Sequence, residues 1–233
     1  MPYGAVWARS PGPGQRVRAD ALVQRYFRAS RMAGVLPLGQ MQSGGPERAA
    51  IFWSLPVAAL ETWPNRDIGG WKAEVAALWP DIAPFLGSVT SPADMTPARY
   101  GHGTLAQPFA HRLVHIGDAA HRASPQLGQG ANMALLDALA LADAIAAGGD
   151  PGPLYARMRR WHVRLYQGMS AAFTPQYQSD SRWLPVVRDR LLMPLSRIPP
   201  VPRLLTRLVA GDLIPPLGRT GLPPLPGEMP PHL

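Results

Sequence analysis

The residues of this chain best suited to chemistry lie between Arg112 and Asp137, in the stretch RLVHIGDAAHRASPQLGQGANMALLD. Gly128 and Gly130 stand just before Ala131, where a long apolar helix is expected to begin. Backbone amides at a helix start point outward without intrahelical partners, and the helix dipole adds partial positive charge. Glycines there let a ligand approach the backbone closely, so the loop is shaped to receive an anion or a carbonyl oxygen. Asp118 follows the apolar run Leu113, Val114 and Ile116, which is expected to be a short buried strand stopped by Gly117 and Asp118. The carboxyl end of a strand is where an α/β fold places a ligand-contacting side chain. The chemistry this implies is binding by amides and one carboxylate; no side chain stands out as a general base, so the catalytic residue is left unnamed.

Other site chemistries find no support. His102 sits between two glycines, but no second His or carboxylate stands at metal-ligand spacing from it, and His111, His115 and His121 are scattered along the next segment. Metal binding is therefore not expected. No Gly-x-Ser-x-Gly elbow exists, which argues against a Ser-His-Asp hydrolase. With no cysteine there is no thiolate ligand, cysteine nucleophile or disulfide framework.

The elements around this stretch read as follows. Residues 3–8 form a strand pattern, and Gly12-Pro-Gly-Gln is a proline loop, not a dinucleotide fingerprint. Residues 21–30 read as a short helix, 31–40 and 49–55 as two strands joined by the Ser43-Gly-Gly-Pro46 turn, hence an antiparallel hairpin. Trp71, Val75, Leu78 and Trp79 recur at helical spacing. Phe52 and Trp53 are the weak candidates for substrate binding; they alternate faces, so only one can point at a ligand, and packing of sheet against helix is the competing role. The helix over 131–147 has apolar residues all round and should be buried on most sides. Asp137 within it needs an Arg or an amide as partner, because an unpaired buried carboxylate is costly. A second helix, 153–170, carries arginines on one face. Residues 184–208 mix leucines with arginines as membrane-surface segments do. Prolines 199, 200 and 202 break that stretch and favour packing against the protein or a dimer contact.

The central stretch resembles the second flavin-binding motif of the FAD-dependent aromatic hydroxylases, typified by p-hydroxybenzoate hydroxylase and the ubiquinone-biosynthesis hydroxylases. The match is carried by Gly117-Asp-Ala-Ala-His121, Ser124-Pro-Gln-Leu-Gly-Gln-Gly-Ala-Asn-Met133 and Asp137-Ala138. The resemblance implies a mixed α/β (α+β) fold: the C-terminal part of a flavoprotein hydroxylase, with a substrate-binding sheet, the strand-loop-helix of the FAD domain and C-terminal helices. It implies FAD as cofactor, NAD(P)H as co-substrate and oxygen transfer to an aromatic or other electron-rich small molecule. By the same resemblance Asp118 bonds the ribityl chain and Pro125 lies beside the isoalloxazine ring. The amides around Gly128, Gln129, Gly130, Ala131 and Asn132 face the pyrimidine edge, with Gly117 shaping the turn.

The implied layout is a partial substrate sheet over 1–108, the second FAD motif over 109–150, a helical region over 151–210 and a disordered Pro-rich tail over 211–233. The family's Gly-x-Gly-x-x-Gly unit, which holds the FAD pyrophosphate, is not found in this sequence. A separately encoded N-terminal half is thus one expected partner, and the competing reading is a non-catalytic remnant or partner-binding subunit using its basic helices.

At 233 residues the chain can bury a sizeable core. It has no apolar run long enough to span a bilayer and no secretory signal pattern at Met1, so a cytoplasmic location is expected. Net charge is +8, and Lys72 is the only lysine. An Arg-, Ala- and Pro-rich composition of this kind follows from high-GC coding, and no nucleic-acid-binding module accompanies the charge, so nucleic acid is not an expected partner.

Overall fold

A computed structural model describes residues 1–12 and 17–217; Pro13 to Arg16, in the expected proline loop, and the greater part of the expected tail, 218–233, lie outside the described residues. The chain forms two compact units, Met1–Gly101 with Ala171–Arg197, and His102–Ser170 with the segment from Ile198 onward. The boundary between the units falls at 101/102, and the C-terminal helices are divided between them.

The first unit is built on an antiparallel sheet. Its strands are β1 (Tyr3–Pro11), β2 (Val23–Phe27), β3 (Arg31–Gln40), β4 (Glu47–Pro56) and β5 (Thr96–Arg99), in the order β2-β3-β4-β1-β5. β3 has the expected bounds, and with β4 it forms the expected hairpin. The helix expected over 21–30 is instead β2. Val23 to Phe27 pair residue for residue with Val35 to Arg31, and the ladder satisfies backbone groups that a lone ten-residue helix holds only marginally in water.

Alternation along the strands separates two faces. Val6, Val35, Ile51, Trp53 and Leu55 turn toward a layer containing α1 (Val57–Thr62) and α2 (Ile68–Leu78), where Leu60, Trp71 and Val75 are buried with them. Trp71 packs edge-on to Trp63, with ring centroids 5.5 Å apart. Asp67 caps α2 by accepting hydrogen bonds from the Gly69 and Gly70 amides. Trp53 is thus a core residue. Phe52, its neighbour, is half-buried on the opposite face, directly across from Trp7 and Gly34 in the register.

Gly4 in β1 is required by a close approach. A methyl group there would run into the Ala98 carbonyl oxygen of β5 and lie 2.7 Å from Leu60 Cδ1. The carbonyl is backbone and cannot swing aside. Gly4→Ala is expected to loosen the β1–β5 pairing and lower stability by about 1–3 kcal/mol. The midpoint of urea unfolding reads this directly, and an unchanged midpoint would mean that β5 yields without cost.

The tail of this unit is helical. α6 (Leu184–Val187), a π-turn over Arg188–Leu192 and α7 (Met193–Leu195) run on without a break. Pro185 stands at the first turn of α6, where the missing N–H costs nothing, and Pro194 lies in the run just after the π-turn. Arg188 is buried on the inner side. Its guanidinium lies over the rings of Tyr177 and Tyr26, and Nη1 donates to the Gln176 and Arg28 carbonyls at 2.9 and 3.2 Å.

The second unit holds the short strands β6 (Gly103–Thr104), β7 (Phe109–Ala110) and β8 (Leu113–Val114), the single turn α3 (Asp118–His121), and helix α4 (Gly130–Ala146). It also holds the first part of α5 (Pro151–Tyr177), and α8 (Val201–Ala210). The buried strand expected at 113–116 is a two-residue ladder with β7, and Leu113 is 51% exposed, because β7 is its only pairing partner among the described residues. α4 has nearly the expected span but not the expected burial. Met133, Asp137, Ala140 and Ala144 face inward, while Leu135, Leu139 and Ile145 are 71, 45 and 61% exposed. The described start of the expected tail, 211–217, is packed: Leu217 is buried with Ala140, Ala144 and Tyr155.

Candidate active site

The stretch from Gly117 to Asn132 is assembled by a sequence of tight turns. Gly117 has φ +57°, ψ −140°, a conformation that only glycine adopts without strain, and it closes α3 through bonds from the Ala120 and His121 amides. Asp118 opens α3, exposed, and its carboxylate makes no hydrogen bond among the described residues. Ser124 Oγ accepts from the Gln126 amide and starts the turn Pro125–Leu127. Gly128, left-handed at φ +65°, ends it with its amide donating to the Pro125 carbonyl at 2.9 Å. Gln129 then begins α4.

This arrangement leaves an open amide end. No side chain caps α4, and Gly130, Ala131, Gly128 and Pro125 are exposed. A Cβ built on Gly128 or Gly130 would meet nothing within 4 Å. The side chains of Gln129 and Asn132 are turned elsewhere: Asn132 Nδ2 donates to Gln129 Oε1 at 2.8 Å, and Gln129 Nε2 donates to the Val209 carbonyl at the end of α8. What these two residues offer a ligand is main chain. The uncapped start of the 17-residue helix therefore presents amides biased positive by its dipole.

Behind the cradle lies a buried polar cluster that holds the loop. Asp137, fully buried, accepts the Gly117 amide at 2.8 Å and His121 Nε2–H at 2.6 Å on one oxygen, and Arg159 Nε at 2.6 Å on the other. Burial by itself would raise the Asp137 carboxyl, but the bonds from His121, Arg159 and the Gly117 amide outweigh it and hold the group below the usual carboxylate range. An ionised Asp137 only accepts, which fixes the proton on His121 Nε2. His162 Nε2 donates to the Gly211 carbonyl at 2.9 Å, and its Nδ1 accepts from Arg159 Nη1 at 3.2 Å. Burial pushes His162 below its ordinary range, so it is the neutral tautomer that completes the chain. The partner expected for Asp137 is therefore both an Arg and an amide.

Arg159 and His162 escape a reading that takes α5 as merely arginine-rich. The available signal is spacing: Tyr155, Arg159, His162 and Tyr166 fall at i, i+4, i+7 and i+11, on the buried side of the helix. His102, by contrast, has both ring nitrogens covered and without a hydrogen-bond partner among the described residues, so its setting between glycines does not make it open to solvent chemistry. No group of three or more potential metal-ligating side chains occurs among the described residues.

The other unit carries the aromatic candidates. Trp53 is 5% exposed in the core, while Phe52 is half-buried across from Trp7, which is 38% exposed, on a face where Ala5 and Ser54 are covered. Of the two expected substrate contacts, only Phe52 is positioned with part of its ring outside the core.

Comparison with known proteins bears on the family and the fold. A family model described as an FAD binding domain matches residues 9–149. A protein of Rhodococcus erythropolis named probable 2-heptyl-3-hydroxy-4(1H)-quinolone synthase AqdB2 is 30% identical over 149 residues, covering 61% of this chain and 38% of its own. Among solved structures, PqsL of Pseudomonas aeruginosa, described as a probable FAD-dependent monooxygenase, superposes with a TM-score of 0.64 at 21% identity, over 81% of this chain and 52% of its own. HpxO of Klebsiella pneumoniae, solved with FAD and uric acid, gives 0.66 at 15% identity, over 91% and 55%. These two likenesses establish the fold. The chain spans about half the length of the solved structures it matches and a smaller share of the curated relative.

Proposed function

The chain belongs to the FAD binding domain family, and from that membership we propose that it forms the flavin-ring and substrate-sheet portion of an FAD-dependent monooxygenase. Its substrate class is an aromatic or other electron-rich small molecule, with NAD(P)H and O2 as co-substrates. The observation that carries this reading is the open glycine cradle at the start of α4, locked by the Gly117–Asp137 bond and flanked by the exposed Asp118 carboxylate.

Bound FAD would supply the redox chemistry, accepting hydride from NAD(P)H and activating O2. The protein's own residues bind and orient. Asp118 accepts hydrogen bonds from ribityl hydroxyls. The amides from Gln129 to Asn132 donate to the pyrimidine edge of the ring, where they favour negative charge in the manner of an oxyanion hole; the Gly128 amide is held by the Pro125 carbonyl and shapes the turn instead. Pro125 lies beside the ring, and Gly117 keeps the turn that presents Asp118. Phe52, with Trp7, offers an apolar surface to the substrate ring; Trp53 supports that surface from the core.

The adenine-nucleotide contacts come, in this proposal, from a further polypeptide segment, encoded separately or as part of a longer chain. The exposed Leu135, Leu139 and Ile145 on α4, and the short β8 ladder, suit such a segment. A cytoplasmic location belongs to the same proposal, since NAD(P)H is the co-substrate. Among the described residues no helix is long and apolar enough to cross a membrane.

The test is flavin retention. The chain, alone and together with an FAD-domain N-terminal segment, is titrated with FAD and its visible absorbance followed. Asp118→Ala is expected to weaken retention by about 10–100-fold, the worth of a hydrogen bond to a charged group. Wild-type flavin content in that variant would remove Asp118 from the site.

A further inference from the structure

The run 182–197 at the end of the first unit is built inside out for a helix facing water. Its inner side holds Pro185 and Arg188, both buried, and Arg188 is satisfied there by Tyr26, Tyr177 and two carbonyls. Its outer side holds the large apolar residues. Trp183 is 78% exposed, Leu191 60%, Met193 50% and Leu195 45%, with Val186 and Val187 beside them. Isolated apolar residues on a surface are ordinary, but this many within one short helical run mark an interaction site.

The charges around the patch identify what it meets. Arg182, Arg190 and Arg197 are exposed along the same run. The only acid there, Asp189, is paired with Arg188 at 2.7 Å. An apolar face rimmed by unpaired arginines is complementary to a surface that is apolar inside and anionic outside. We propose that residues 182–197 dock this protein on anionic lipid, with Trp183, Leu191 and Met193 entering the headgroup boundary and the three arginines meeting lipid phosphates. The helical run continues from Leu184 to Leu195 through Pro185 and Pro194.

Vesicle co-sedimentation of the full chain tests this. Vesicles of equal parts phosphatidylglycerol and phosphatidylcholine are compared with phosphatidylcholine alone, at low and high salt. The wild-type protein is expected to sediment with the anionic vesicles, at least tenfold more than with neutral ones, and to be partly released by salt. Leu191→Glu with Met193→Glu, at exposed positions that the fold does not use, is expected to abolish binding. Leu22→Glu, at an exposed residue of the same unit, is expected to leave it intact. Arg190→Gln with Arg197→Gln is expected to remove the preference for anionic lipid. Circular dichroism and melting curves show whether each variant is folded. Equal binding by the Leu191/Met193 variant, or no binding to either vesicle, overturns the proposal. So does a concentration-dependent dimer that the same variant dissociates, which would give the face to a second copy of the chain.

Discussion

Asp137→Ala is expected to destabilise the protein by about 3–5 kcal/mol, the cost of leaving a buried charge without its partner. Arg159 would keep its guanidinium inside the second unit with no carboxylate, and the Gly117 amide would lose the acceptor that fixes the loop in front of it. Thermal melting and urea unfolding read the loss. The mechanism is separated from simple cavity formation by a double substitution. Asp137→Ala with Arg159→Met removes both charges and is expected to recover a large part of the stability. If the double variant is no more stable than the single, the ion pair is not what holds the cluster. The pH dependence has a defined sign. The folded-state pKa of Asp137 lies below its unfolded value of 3.8. The stability it contributes is present above that unfolded value and is lost as pH falls from there through the folded value. The Asp137→Ala protein is expected to show a shallower fall in stability over that acid range.

Gly130→Val is expected to abolish flavin retention while leaving the fold intact. The position is exposed, its φ is not left-handed, and an added Cβ meets nothing within 4 Å, so the protein itself has room for the side chain. Any group seated against the first-turn amides of α4 does not, because a branched side chain would stand between them. The expected outcome is therefore a normal melting curve with flavin binding lowered by about 100-fold or more, a loss of roughly two hydrogen bonds to the ring edge. Normal melting with normal flavin content would show that the ligand does not touch this helix start. Gly128→Val is a less clean probe, since φ +65° there adds backbone strain to any steric effect.

Much of the molecule is legible in the sequence because it rests on local pattern. β3, its hairpin with β4, α2 and α4 follow from alternation, helical spacing and Gly/Pro punctuation, and they lie close to the expected bounds. The Asp118 turn and the glycine cradle are legible for the same reason: short-range turn chemistry builds them. The failures come where long-range partners decide. Val23 to Phe27 carry no strong period, and only the ladder with β3 makes them a strand. α4 has apolar residues all round, but its packing neighbours in the described residues cover one side, so Leu135, Leu139 and Ile145 remain exposed.

By itself, then, the sequence determined the motif: which residues stand at the turn, the helix start and the strand hairpin, and hence the family whose chemistry they suit. Only the tertiary structure decided that Asp137 is shared by Gly117, His121 and Arg159, that Phe52 and not Trp53 keeps an open side, and that Arg188 turns inward while Trp183 and Leu191 turn out. The physical reason is range. Turns, caps and periodicity are set by residues within a few positions of one another, whereas burial, ion pairing and exposure depend on which distant segment fills the space beside a side chain.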